Sequence, residues 1–216
     1  MTSSVTSDTT GTVRRRLPRD ERARQLLDVA EAVFAERGVQ ASSMEDIAER
    51  AGVTKPIVYD HFGSKDGLVA AVVVRAGAVL GEAVLAAVTS TEDPEQSVAE
   101  GLRAYFRFIE ERRSGLHSLL TEGVAPGTDA AAALEKVRNQ QAEMIATLLL
   151  EHSEDGAAEA AAIYAQIVVG ATERLATRPG TAEPPSVETL TRSVMDVIWC
   201  GFATLRDGTR WEPSAG

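Results

Sequence analysis

The sequence predicts an all-α protein, with a small N-terminal helix-turn-helix head and a larger helical bundle behind it. Three observations carry this. The chain is rich in alanine, glutamate and arginine, which are strong helix formers. Its apolar residues recur at spacings of three and four and nowhere alternate as a strand would. Gly, Pro, Ser, Thr and Asp stand where helices should begin and end. No internal repeat is visible, and the one low-complexity stretch is the Ser/Thr-rich N-terminus.

Taken in order, about nine helices are expected. The first spans Arg19 to Arg37, with Leu26, Leu27, Ala30, Val33 and Phe34 on one face, Pro18 before it and Gly38 as a stop. The second is short, with Ser43 as its cap and Asp46 three residues on, and it ends at Ala51-Gly52. The third starts at Thr54, tolerates Pro56 in its first turn and ends near Phe62-Gly63. Ser64 caps a fourth, Lys65 to Thr89, and Asp93-Pro94 opens a fifth, to Arg113. A short sixth over Gly115–Glu122 precedes the Gly123–Gly127 loop. The seventh runs from Asp129 to His152 and the eighth from Ala157 to Thr177. The ninth is capped by Ser186, after a Pro-rich loop, and ends near Arg206.

Composition narrows the function classes. A formal net charge of −10 argues against a protein that coats nucleic acid without sequence preference. The charge is uneven, however. Arg14, Arg15, Arg16, Arg19, Arg22 and Arg24 face only Asp20 and Glu21, while acids dominate behind residue 70. A basic arm on an acidic body points to a localised anionic partner. The single cysteine, Cys200, allows no internal disulfide and reads as a small buried hydrophobe. No signal peptide is evident, and the apolar run Leu68–Val74 is short for a membrane span, with Arg75 and Glu82 beyond it. A cytoplasmic location is expected. An enzyme finds no support: His61, His117 and His152 show no metal-ligand spacing with one another or with Cys200, and no phosphate loop or nucleophile motif occurs. No catalytic residue, cofactor or metal site is expected. A membrane-surface protein would need a basic amphipathic helix, and helix one carries both signs.

The informative segment is Ser43–Phe62. Two short helices joined by a turn at Gly52-Val53 form a helix-turn-helix, with Ala48 small at the crossing and Ile47, Val53 and Val58 as the wedge of core. The second helix presents Thr54, Lys55, Tyr59 and His61 outward, side chains suited to phosphates and base edges in a major groove. The wording from Gly38 to Leu68, including Tyr59-x-x-Phe62 followed by Ser64-Lys65 and Leu68, resembles the DNA-binding domain of the TetR family of regulators. Leu26, Ala30, Phe34 and Gly38 fall at that family's spacing, and the resemblance covers about Arg22–Leu68. Asp60-His61 is a mild departure from its pattern.

The resemblance implies roles for matched positions. Thr54 and Tyr59 would hold phosphates through hydroxyls, Lys55 a phosphate or base edge, and Pro56 and Ile57 thymine methyls. His61 and Lys65 would touch phosphate, Lys65 assisted by the helix dipole, and Ser43 would add another phosphate contact. Arg14–Arg16 either enter a minor groove or form a solvated tail. It further implies a flexible arm over residues 1–18, a DNA-binding domain over 19–64, a ligand-binding and dimerisation domain over 65–208 and a tail over 209–216.

Ile163, Ile167, Gly170 and Arg174 on helix eight, with Leu190, Val194, Ile198 and Phe202 on helix nine, form stripes that fit a homodimer interface or an intrachain core; the resemblance favours the dimer. Tyr105, Phe106, Phe108, Ile109, His117 and Met144 are candidates to line an effector pocket for a hydrophobic or aromatic small molecule, or else are core. The expected function is a repressor that binds a palindromic operator on double-stranded DNA as a dimer and is released by that effector.

Overall fold

The computed structural model describes residues 17–120, 124–150, 158–178 and 184–206. Among these, nine α-helices follow one another: α1 Arg19–Arg37, α2 Met44–Ala51, α3 Lys55–Phe62, α4 Lys65–Val88, α5 Pro94–Glu111, α6 Arg113–Ser118, α7 Asp129–Leu150, α8 Ala158–Ala176 and α9 Val187–Arg206. The fold is all-α, as the sequence predicts. Helix α6 begins earlier than expected, its expected end at Glu122 lies outside the described residues, and α5 stops at Glu111 with Arg112 as its C-cap.

Local chemistry sets the boundaries. Ser43 and Asp46 form a reciprocal capping box: the Ser43 hydroxyl accepts from the Asp46 amide at 3.1 Å, and the Asp46 carboxylate accepts from the Ser43 amide at 2.8 Å. Ser64 accepts from Gly67 at 2.9 Å to start α4, and Asp93 accepts from Glu95 at 2.9 Å to start α5. Thr54 occupies the N-cap of α3 but makes no capping hydrogen bond, so its hydroxyl is not spent on the helix. Thr128 caps α7, accepting from Ala131, while the neighbouring Asp129 amide donates to the Asp66 carboxylate at 2.7 Å. That bond ties the start of α7 to the start of α4.

The main core begins in the head and continues into the body. Leu26, Ala30, Val33 and Phe34 of α1 meet Met44, Ile47 and Ala48 of α2, Val58 of α3, and Leu68, Val69, Val72 and Val73 of α4. Val137 of α7 belongs to the same cluster. The boundary expected at Ser64 therefore divides the chain but not its packing. A second cluster joins Leu102 and Phe106 of α5 to Val168 of α8 and to Val194 and Ile198 of α9. Arg103 clamps α5 to α9 by meeting Glu188 at 3.0 Å.

Helix α4 organises the whole. It packs most extensively on α7 and α5 and also touches α1 and α3. Among the described residues it is the one helix long and apolar enough, by length and composition, to cross a membrane. Its Leu68, Val69, Val72, Val73, Leu80 and Val88 are instead buried against other helices, and Arg75 pairs with Asp28 and Glu31 of α1 at 2.6 and 2.7 Å. Helices α4 and α7 approach closely at Gly77, where a Cβ would lie 2.6 Å from a methyl carbon of Val137.

This contact yields a test. Valine has little freedom at χ1, so Gly77→Ala forces α4 and α7 apart at a packing cost of about 1–3 kcal/mol, more than the ~1 kcal/mol that alanine returns in helix propensity. Gly81→Ala, one turn on with nothing within 4 Å, is expected to be neutral or stabilising. Urea unfolding of both variants checks the opposite signs.

Candidate nucleic-acid interface and effector cavity

The helix-turn-helix is held by a small wedge. Ile47 and Val58 are fully buried, Ala48 and Ala51 nearly so, and Val53 is partly buried against them. Gly52 adopts the left-handed conformation, with φ 65° and ψ 36°. The Val53 amide then donates back to the Ala48 carbonyl at 2.9 Å. This turn sets the angle between α2 and α3. A second restraint lies at the far end of α3: a Cβ on Gly67 would sit 2.2 Å from the Phe62 carbonyl oxygen, so only glycine lets α4 start this close to α3.

The outward face of α3 carries Thr54, Lys55, Pro56, Ile57 and Tyr59, all exposed; Tyr59 retains 43% of its surface. His61 is half-buried, with its ring tilted against Phe62. Lys65 is also half-buried and donates to the Gln40 carbonyl at 3.2 Å, which holds its ammonium at the junction of α4 and the α1–α2 turn. An ammonium has three donors, so this bond leaves others for a phosphate. Ser43 is exposed, but its hydroxyl is engaged with Asp46. Lys55 lies 3.6 Å from Glu45, a loose exposed pair.

The departure at Asp60 has a structural counterpart. Arg19 of α1 reaches the Asp60 carboxylate at 3.3 Å and its carbonyl at 3.1 Å. The acid has a cation beside it within the head, and both side chains stay largely exposed. No local signal announces this pairing, because the two residues are 41 positions apart. Arg14–Arg16 lie outside the described residues.

In the body, α4, α5, α7, α8 and α9 line a partly open cavity of about 320 Å³, a size suited to a small organic molecule. Of the expected pocket residues, Tyr105 and Met144 line it. Phe106 and Ile109 line a second, much smaller hollow of about 50 Å³. Phe108 is buried beneath the Arg112 guanidinium, 4.2 Å from its ring centre. The reason is helical geometry: the four aromatic and aliphatic positions on α5 point round the helix, and only one of them faces the cavity. The His117 side chain lies outside the described residues.

Most of the wall is aliphatic: Leu80, Val84 and Val88 of α4, Ile145, Leu148 and Leu149 of α7, and Val168 and Val169 of α8, with Trp199 of α9. The polar members are Ser97, Tyr105, Gln141 and Thr172. Sequence reasoning missed most of these. A usable signal existed in α7, where Gln141, Met144, Ile145, Leu148 and Leu149 share one helical face.

The expected dimer residues also divide. Ile163 and Ile167 are 55% and 53% exposed, and Gly170 and Arg174 lie open on the same side of α8. Val194 and Ile198 are instead buried within their own chain against Leu102 and Phe106, and Leu190 is half-buried beside them. Val194 and Ile198 are thus used by the intrachain core, and among the described side chains of that helix Val197 is exposed, at 75%. The Phe202 side chain lies outside the described residues. No cluster of three or more metal-ligating side chains occurs among the described residues.

Comparison with known proteins agrees with this architecture. The family model described as bacterial regulatory proteins, tetR family, matches residues 26–72, and that described as a tetracyclin repressor-like C-terminal domain matches residues 94–201. The HTH-type transcriptional activator FasR of Mycolicibacterium smegmatis is 46% identical over 100 residues, 46% of each chain. The HTH-type transcriptional repressor KstR2 of Rhodococcus jostii is 41% identical over 69 residues, 32% of this chain and 30% of that one. The chain thus spans less than half the length of these curated relatives. A TetR-like transcriptional regulator from Rhodococcus sp. RHA1, known as a crystal structure, is 29% identical with a TM-score of 0.63, covering 87% of this chain and 99% of the other.

The capping box can be tested by stability. Ser43→Ala is expected to cost about 0.5–2 kcal/mol in urea unfolding. The Ser43 hydroxyl, and after it the Ser43 amide, hold the Asp46 carboxyl below its ordinary value. A lowered carboxylate stabilises the fold above the unfolded-state pKa and loses that effect as pH falls through the folded one. The difference between wild type and Ser43→Ala should therefore be full near neutrality and shrink on acidification.

Proposed function

The chain belongs to the TetR family of bacterial regulatory proteins, and on that premise we propose that it is a homodimeric repressor that binds a palindromic operator and leaves it when a small apolar effector binds. The observation that carries this reading is the continuity of α4. Its first turns share a core with the helix-turn-helix, and its later turns line an apolar cavity.

Helix α3 enters a major groove. Thr54 and Tyr59 meet phosphates through their hydroxyls, and Lys55 reaches a phosphate or a base edge. Pro56 and Ile57 lie against thymine methyls, while His61 and Lys65 contact phosphate at the edges of the site. Ser43 can donate to a phosphate only by sharing its one hydroxyl proton, which already goes to the Asp46 carboxylate. The Arg19–Asp60 pair places a cation beside the one carboxylate on α3 that would repel DNA. Two heads placed about 34–36 Å apart by a two-fold axis read a palindrome. The exposed face of α8, Ile163, Ile167, Gly170 and Arg174, with Val197 of α9, forms the subunit contact. Repression takes place in the cytoplasm, where the operator is.

Effector release needs a route from cavity to head. A molecule between α4, α5, α7 and α8 changes the separation of α4 from its neighbours. Arg75, joined to Asp28 and Glu31, carries a shift of α4 to α1. A second link runs through α6: the buried Ser118 hydroxyl accepts from the Val39 amide at 2.7 Å, at the turn after α1. The effector binds the conformer whose heads are out of register better, and so moves the population towards it. No step of catalysis is involved.

Selection from randomised duplex DNA at near-physiological salt is expected to enrich a pseudo-palindrome. Enrichment should vanish in the Tyr59→Ala, Lys65→Ala double variant. A folded, dimeric sample that enriches nothing would remove the reading. Ile167→Asp, at an exposed site, should leave the subunit folded but shift it to monomer in sedimentation and weaken operator binding at least tenfold, on the order of the 1–3 kcal/mol that a charge at an apolar contact costs.

A further inference from the structure

The cavity's polar groups gather at one end. Gly77 of α4 meets Val137 of α7, and Asp66 meets Asp129, so the two helices run parallel with Gln141 level with Leu80. Helices α7 and α8 run antiparallel: Arg138 bonds Glu173, and Ala142 packs near Val169. Gln141 therefore lies at the level of Thr172, whose side chain stands beside the Tyr105 phenol of α5. This is the end nearer the head. At the other end, Val88, Pro94, Val98, Leu148 and Leu149 are all apolar, and the one hydroxyl there, on Ser97, is spent on the Val88 carbonyl at 2.7 Å.

Two features decide what the polar end can accept. Among the described residues, no lysine, arginine or histidine lines the cavity. Behind Tyr105 stands an ion triad in which Arg138 is shared by Glu173 and Glu135, one cation against two carboxylates. An anion placed there would lose its hydration, meet no positive charge and face a net negative one. Gln141, by contrast, lines the cavity, and its side-chain amide makes no hydrogen bond among the described residues. Tyr105 keeps its proton, because burial and the nearby Glu173 push its phenol well above its ordinary range.

We propose that the cavity is a receptor for an uncharged amphiphile, a hydrocarbon chain or ring system ending in a hydroxyl or carbonyl group, held with that group inward between the Gln141 amide and the Tyr105 hydroxyl and its apolar body along α4 and α7. The proposal rests on reading this cavity as the effector site. It excludes a ligand whose carboxylate or phosphate sits at the inner end. The neutral polar terminus meets an amide that has no partner among the described residues, and the aliphatic wall takes the rest.

The test measures binding directly on the free, full-length protein. In a Trp211→Phe background the remaining tryptophan is Trp199, which lines the cavity and reports occupancy by fluorescence. The probes are 1-decanol, methyl decanoate and decanoate at pH 8, where the acid is ionised. Both neutral probes should bind at least about tenfold tighter than the anion. Any greasy cavity would prefer neutral probes, so the deciding arm is a pair of variants. Tyr105→Phe and Gln141→Leu both make the cavity more apolar, and a merely greasy cavity would then bind decanol as well or better. Recognition of the polar group predicts a loss of about tenfold in each. Gln141→Leu, at a half-buried site with no internal bond to break, keeps the test open if Tyr105→Phe fails to fold.

Decanoate binding as tightly as decanol would overturn the proposal. So would unchanged decanol affinity in a folded Gln141→Leu variant, or no fluorescence response to any probe. Failure of a bound probe to release operator DNA would instead count against the regulatory reading alone.

Discussion

Everything in this molecule depends on one helix having two sets of neighbours. The first turns of α4 complete the core of the helix-turn-helix through Leu68, Val69, Val72 and Val73. Its last turns, through Leu80, Val84 and Val88, form a wall of the cavity. A helix is stiff over such a length, and close-packed interiors do not deform smoothly. What displaces one end is felt at the other. The Gly77–Val137 approach lies between the two regions and holds α4 against α7 where neither has room to slide.

Electrostatics divide the labour differently. The exposed ion pairs of the head, Arg37 with Asp46 and Arg50 with Glu36, contribute little to stability because water screens them. Their value is positional, since they fix α2 against α1 and so fix the angle at which α3 stands out. Arg75 is more buried than these and spans from α4 to two acids of α1. In the body, Arg138 and its two glutamates lie near the cavity but do not line it, so among the described residues the wall carries no charge and few neutral polar groups.

The head was largely legible in the sequence. Ser43, Gly52, Ser64 and the glycine after Phe62 act through their immediate neighbours, and such signals survive in one dimension. So do Ile47, Val58 and Leu26, whose spacing alone places them on buried faces. The cavity was legible only in outline. Tyr105 and Met144 line it, but Phe106, Phe108 and Ile109 do not, because adjacent positions on one helix face different neighbours. On α9 the apolar stripe containing Val194 and Ile198 was readable, but not which partner would cover it; α5 of the same chain does.

The sequence by itself determined the fold class, the order of the helices and the identity of the reading head, since helix caps, turns and apolar periodicity are local properties of the chain. Tertiary structure alone decided which side chains share the cavity, that Arg19 pairs with Asp60, and which face of α8 and α9 is left uncovered. These depend on how helices far apart in sequence rotate about their axes when they pack. A rotation of a third of a turn changes a residue from wall to surface without altering any local signal.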